Sequence, residues 1–299
     1  AHFIGISGLI SLVLFIVAVG GMNSFFSTNT LYRAGASEGT PFAFIRNLAL
    51  FLPISSQIFY VLYKYKSKNR FNSYHIFFLF YFAASIIMYF NRASRMGVLF
   101  FLISFVLINI IYYRKGLVKY LPIIGALFLF LTLYGKAIFN YFVVDNFSLQ
   151  ARDFGLEDVI QEFSFPFYSL VNAINNSFVN DMPRLFFDFI LGFLNLLPSA
   201  FMPFSVPENI TQLNISGVPI DLISLGYYSL GISGIIIICF LFGILIGSIE
   251  KILNDKSNLV NIVFYIQFLS FLSLRIPYAG PTNVIKSNLC LLIAFVLYI

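Results

Sequence analysis

"GISGIIIICFLFGILIGSIEK", residues 231–251, decides the fold. No charge occurs from Gly231 to Ile249, and a helix of that length crosses about 30 Å of hydrocarbon. Cations follow at once, because "EKILNDKSN" brings Lys251 and Lys256. Gly243 and Gly247 form a G-x-x-x-G inside the run, a spacing read as close helix packing.

Working outward, comparable runs lie near 3–22, 42–63, 74–91, 96–113, 120–139 and 259–276, and another begins at 287. The chain of 299 residues is 60% hydrophobic and 10% charged, with a mean hydropathy of +0.90. Those values exclude an ordinary soluble domain. The expected fold is an all-α polytopic membrane helix bundle: N-terminal transmembrane helices over 1–139, an outer loop region over 140–230, and C-terminal transmembrane helices over 231–299. The chain opens and closes inside apolar stretches, "AHFIGISGLI" and "LLIAFVLYI", so it is expected to be incomplete at both ends.

Orientation comes from cations in short loops. "KYKSKNR" at 64–70, "RKGLVK" at 114–119 and the Lys251/Lys256 loop are cytoplasmic by the positive-inside rule. Alternation then puts 27–41, 91–95, 140–230 and 277–286 on the outer face. The apolar run "LFFDFILGFLNLLP" at 185–198 fits this parity as an interfacial or re-entrant helix, or as a helix pair, and not as a single crossing.

The two cation types separate. Of nine Lys, all but Lys136 and Lys286 fall on the cytoplasmic side, whereas Arg33, Arg46, Arg92, Arg95, Arg152, Arg184 and Arg275 fall at or near the outer face. Arginine's planar fork grips phosphate oxygens bidentately and stays charged when partly desolvated. An anionic ligand at the outer face explains this distribution, and snorkelling near helix ends is the competing reading for any single Arg. Arg92 and Arg95, in "FNRASRMG" at 90–97, run against the positive-inside bias as a pair, and a helical turn there would put both on one face.

The outer segment is too long for a plain connector. Its early part carries Arg152, Asp153, Glu157, Asp158 and Glu162 ahead of Pro166. The acids read either as a solvated helix face near a positive N-terminus or as oxygen ligands for a divalent cation. Its late part has Pro198, Pro203, Pro207 and Pro219, which impose irregular chain before re-entry near 220. Asp221, at the top of the following apolar stretch, reads as an ionisable functional group or as a helix cap. Cys239 and Cys290 lie inside apolar runs and read as two packed thiols.

Several chemistries are set aside. His2 and His75 both map near the cytoplasmic side, and there is no Walker A loop, H-E-x-x-H or G-x-S-x-G. No metal site, nucleotide or nucleic-acid partner is expected.

With its long outer loop between helix bundles, "SRMG" at 94–97 and "GVPIDLISLGYYSLGISG" at 217–234, the chain resembles the O-antigen polymerase family, Wzy, the oligosaccharide repeat-unit polymerases. The related O-antigen ligases share the general plan. The resemblance implies a GT-C-like glycosyltransferase of the bacterial inner membrane, working in lipopolysaccharide biosynthesis with its active site facing the periplasm. Its substrates would be oligosaccharides carried on undecaprenyl diphosphate, with no further cofactor, and its partner a Wzz-type chain-length regulator. The family pattern carries over to Arg95, the arginine of "SRMG"; outer position and residue type add Arg92, Arg152 and Arg275 as diphosphate ligands. The leaving diphosphate gains charge as the anomeric C–O bond breaks, and arginines in a site of lowered dielectric stabilise it. A carboxylate then suffices to take the acceptor proton late, a role open to Asp221, Asp153, Glu157 or Asp158. Ligases are expected to use an outer-face histidine, and neither His2 nor His75 is one. A transporter or flippase of an anionic solute is the alternative of another class, and it would show polar or charged groups at mid-membrane.

Overall fold

The computed structural model describes residues 1–26, 42–66, 72–92, 95–113, 156–175, 221–253, 258–273 and 280–298, with helical pieces at 122, 125–126, 129–130, 189–190 and 192–194. Among these residues the secondary structure is helical, without a strand. The helices are α1 (His2–Ala18), α2 (Ala43–Leu48), α3 (Phe51–Val61), α4 (Ser73–Asn91), α5 (Arg95–Tyr113), α6 (Leu156–Asn175), α7 (Leu222–Leu230), α8 (Ile232–Leu253), α9 (Leu259–Ser273) and α10 (Pro281–Val296). Among the described residues three stretches, Phe44–Tyr65, Ser73–Asn91 and Ile232–Leu253, are long and apolar enough to cross a membrane. Most of the expected run at 120–139 and of 185–198 lies outside the described residues, and the last helix starts at Pro281 rather than at 287.

The chain divides into two compact units that interleave in sequence. One comprises 1–155, 255–267 and 290–299, and the other 156–254 and 268–289.

In the first unit α3 is central. Residues Phe51 to Phe59 and Val61 are all buried, the polar Ser55, Ser56 and Gln57 among them. It continues into a π-helical turn, Leu62–Lys66. Gly5 of α1 makes a close crossing possible, because a Cβ there would stand 2.4 Å from the Tyr81 ring and 2.6 Å from Ser55 Oγ.

Helix ends in this unit pair as alternation requires. His2 packs edge-on against Phe59 at 4.7 Å and Phe77 at 4.5 Å, which joins the start of α1 to the end of α3 and the start of α4. Asn109, near the end of α5, accepts from Lys64 Nζ at 2.6 Å and from Tyr65 Oη at 3.0 Å. The loops "KYKSKNR" and "RKGLVK" therefore leave from the same end. At the far end of α4, Asn91 Nδ2 donates to the Phe25 carbonyl.

The second unit is built on an acute corner. Gly231, at φ +63°, is the one residue between α7 and α8. Such a φ suits glycine because it has no Cβ to clash. Past the corner α7 doubles back on α8: a Cβ at Gly226 would meet the Gly234 carbonyl carbon at 2.9 Å and Ile238 Cδ1 at 3.0 Å. Gly234, Ile238 and Phe242, at i, i+4 and i+8, are the buried stripe of α8 beneath it. α6 packs against α7 as well.

The G-x-x-x-G reading needs correction. Gly243 and Gly247 are exposed, and among the described residues nothing lies within 4 Å of where their Cβ atoms would be. The close approach is made instead by Gly226 and Gly234, which are split by a turn and match no fixed spacing. The cysteine reading is corrected by half: Cys290 is buried and Cys239 is exposed, and both are free thiols.

Candidate functional site

Arg92 and Arg95 fall on different elements. Arg92 is the C-cap of α4, its N–H donating to the Met88 carbonyl at 3.2 Å. Arg95 is the first residue of α5. Residues 93–94 and the Arg95 side chain lie outside the described residues. Position separates the pair electrostatically. A cation at a helix C-terminus is favoured by the last carbonyls, and one at an N-terminus is disfavoured, each by about 0.3–1 kcal/mol. Local structure accounts for a cation at 92 and works against one at 95.

The surroundings of Arg92 are polar and buried. Asn91 and Asn47 are 1% and 5% exposed. Cys290 Sγ donates to the Asn47 carbonyl at 3.1 Å, and Arg92 lies close enough for its charge to act on that thiol. The segment before α3 thus meets the middle of α10, within reach of the charge at the end of α4.

Asp221 is realised as a helix cap. Its backbone is extended at φ −102° and ψ 166°, and Oδ1 accepts the Ser224 N–H at 2.8 Å, which satisfies one of the free donors of the first turn of α7. Oδ2 accepts from Ser224 Oγ at 2.6 Å, and Ser169 of α6 supplies a further bond. The side chain is 1% exposed. It lies outside the Ile232–Leu253 span, and burial pushes its carboxyl above the usual range against the pull of these hydrogen bonds. Both oxygens accept hydrogen bonds, and the group ties α6 to α7.

Glu157 and Asp158 sit in the first turn of α6, where negative charge suits the helix dipole; their side chains, with Arg152, Asp153 and Arg275, lie outside the described residues. Pro166 does not end α6, which runs on to Asn175. Among the described residues no group of three His, Cys, Asp or Glu converges.

Sequence reasoning passed over a polar trio in the first unit. Gln267 of α9 donates to Gln57 of α3, Gln57 donates to Ser104 of α5, and Ser104 donates to the Phe101 carbonyl at 2.6 Å. These three side chains are at most 3% exposed, in the middle of apolar helices. The signal was available as an amide or hydroxyl inside each apolar run, but only the fold shows that the three meet.

No family model, curated protein or solved structure matches the chain, so it is assigned to no family.

Proposed function

We propose that this chain is a membrane glycosyltransferase that polymerises undecaprenyl-diphosphate-linked oligosaccharide repeat units at the periplasmic face of the bacterial inner membrane. Arg95 and Arg92 hold the diphosphate of the donor, and Arg152 and Arg275 are further candidates from the outer segments. The observation that carries the reading is the place of the arginine pair: they stand at the adjoining ends of α4 and α5, and Arg92 caps the end of α4 away from the basic loop that precedes it. Cations there oppose the positive-inside bias, and Arg95 also opposes its own helix dipole. A transferring diphosphate is an anion that two arginine forks in that place suit. The proton acceptor in this reading is one of Asp221, Asp153, Glu157 and Asp158.

One observation favours a second reading. The Gln57–Ser104–Gln267 trio is the kind of buried polar group that a transporter or flippase keeps within its spans. The experiment that separates the readings is the lipopolysaccharide profile of a strain lacking this chain. Single-unit chains on an otherwise complete core mark loss of the polymerase, and bare core marks loss of a ligase or flippase. An unchanged ladder overturns all three.

A further inference from the structure

α6 is two helices in character. Its first turns carry Glu157, Asp158 and Glu162, and from Phe163 to Asn175 it has no charge. In that second part, Ser169 and Ala173 are buried one turn apart, on the side that meets α7. Phe167, Val171 and Ile174 follow at i, i+4 and i+7 on the opposite stripe, with Tyr168 beside them. Phe167 is 73% exposed and Val171 52%. A contiguous apolar face of this kind is not stable against water.

We propose that this face contacts bilayer lipid, so that the uncharged half of α6 is inserted among lipids of the leaflet at the Gly231 end of α8 while its acidic half stays in water. Three observations choose lipid. First, α6 is tethered through α7 to α8, and a single residue separates α7 from a helix long and apolar enough to cross the bilayer. Second, apolar exposure starts on α8 at that same corner, with Ile232 70%, Ile236 63% and Phe240 66% exposed. Third, charge stops where apolar exposure begins, which is how an amphipathic helix enters an interface obliquely. The Lys251/Lys256 loop at the other end of α8 makes this the outer leaflet. The inference is independent of any catalysis, and it moves 163–175 from the outer loop region into the membrane boundary.

The test uses the full chain in vesicles of phosphatidylethanolamine and phosphatidylglycerol. In a Cys239→Ala background, Val171→Cys, Ile174→Cys and Glu157→Cys are each labelled with bimane and quenched by doxyl-labelled lipid or by aqueous iodide. Lipid should quench the labels at 171 and 174 about threefold more strongly than at 157, and iodide the reverse. Iodide quenching at 171 equal to that at 157 would overturn the proposal. So would a label at 171 and 174 that neither agent reaches, which would place a second copy or another protein segment on the face. If one of the two α6 variants fails to insert, the other gives the same reading.

Discussion

The carbonyl oxygen of Gly226 lies so close to Gly234 that a Cβ at position 234 would stand 2.0 Å from it. That contact fixes α7 against α8, and it explains "GYYSLGISG" in packing terms: Gly226 and Gly234 allow backbones to touch, and Gly231 turns the chain between them. The stretch "GYYSLGISG" therefore has a structural use whatever the chain's function.

Gly234→Ala should be severely destabilising, because the methyl meets backbone that has no rotamer to escape through; about 3 kcal/mol or more is expected, at the upper end of overpacking costs. Gly247→Ala meets nothing and should stay within about 0.5 kcal/mol of wild type. Thermal unfolding of the purified protein in detergent checks both. Equal losses at the two positions would mean that the G-x-x-x-G is buried after all.

Gln57 accepts from Gln267 and donates to Ser104, so Gln57→Leu removes two interhelical bonds and leaves the buried Gln267 amide without its acceptor. Membrane hydrogen bonds average about 0.6 kcal/mol, and an orphaned buried donor costs about 1–3 kcal/mol. A loss of about 2 kcal/mol is expected for the single variant. Gln57→Leu with Gln267→Leu should lose clearly less than the sum of the two singles. Strict additivity in that cycle would show that the two amides are not coupled.

The apolar helices were legible because apolar length is a one-dimensional property: 74–91 and 96–113 differ from α4 and α5 by one residue at the start. Pairings between helices are not one-dimensional. Nothing in the string says that Gly226 meets Gly234 while Gly243 meets nothing, since both pairs are small residues in apolar surroundings. Gln57, Ser104 and Gln267 each look like a tolerated polar residue until the fold brings them together. Asp221 was legible as a residue of consequence, and its geometry shows a cap because Ser224 stands three residues on. Arg92 and Arg95 are three apart in sequence but belong to two helices, so helical spacing is not what relates them.

Asp221 gives a pH prediction. Its folded-state carboxyl binds a proton more readily than in the unfolded chain, so its contribution to stability is present at low pH and is lost as pH rises from the usual carboxylate value through the raised one. Asp221→Asn cannot ionise and should flatten that part of the profile. Asp221→Ala also removes the cap and should cost about 1–2 kcal/mol near neutral pH. Melting curves in detergent from pH 4 to pH 8 check this, and parallel profiles for wild type and Asp221→Asn would show that the carboxyl does not titrate there.

Arg95→Lys tests the proposed chemistry with charge held constant. Lysine keeps the cation but loses the planar fork, so a bidentate diphosphate grip is lost while topology is not. Long chains should disappear from the polysaccharide ladder, and the protein should still insert at the wild-type level. Arg92→Lys makes the comparison sharper. A cation at the end of α4 is favoured by that helix's own carbonyls, so this variant should melt as wild type does. If Arg92 also grips diphosphate, its ladder shortens with no loss of stability; if it only caps α4, the ladder is unchanged. A full-length ladder from Arg95→Lys in properly inserted protein would remove the arginine clamp from the mechanism.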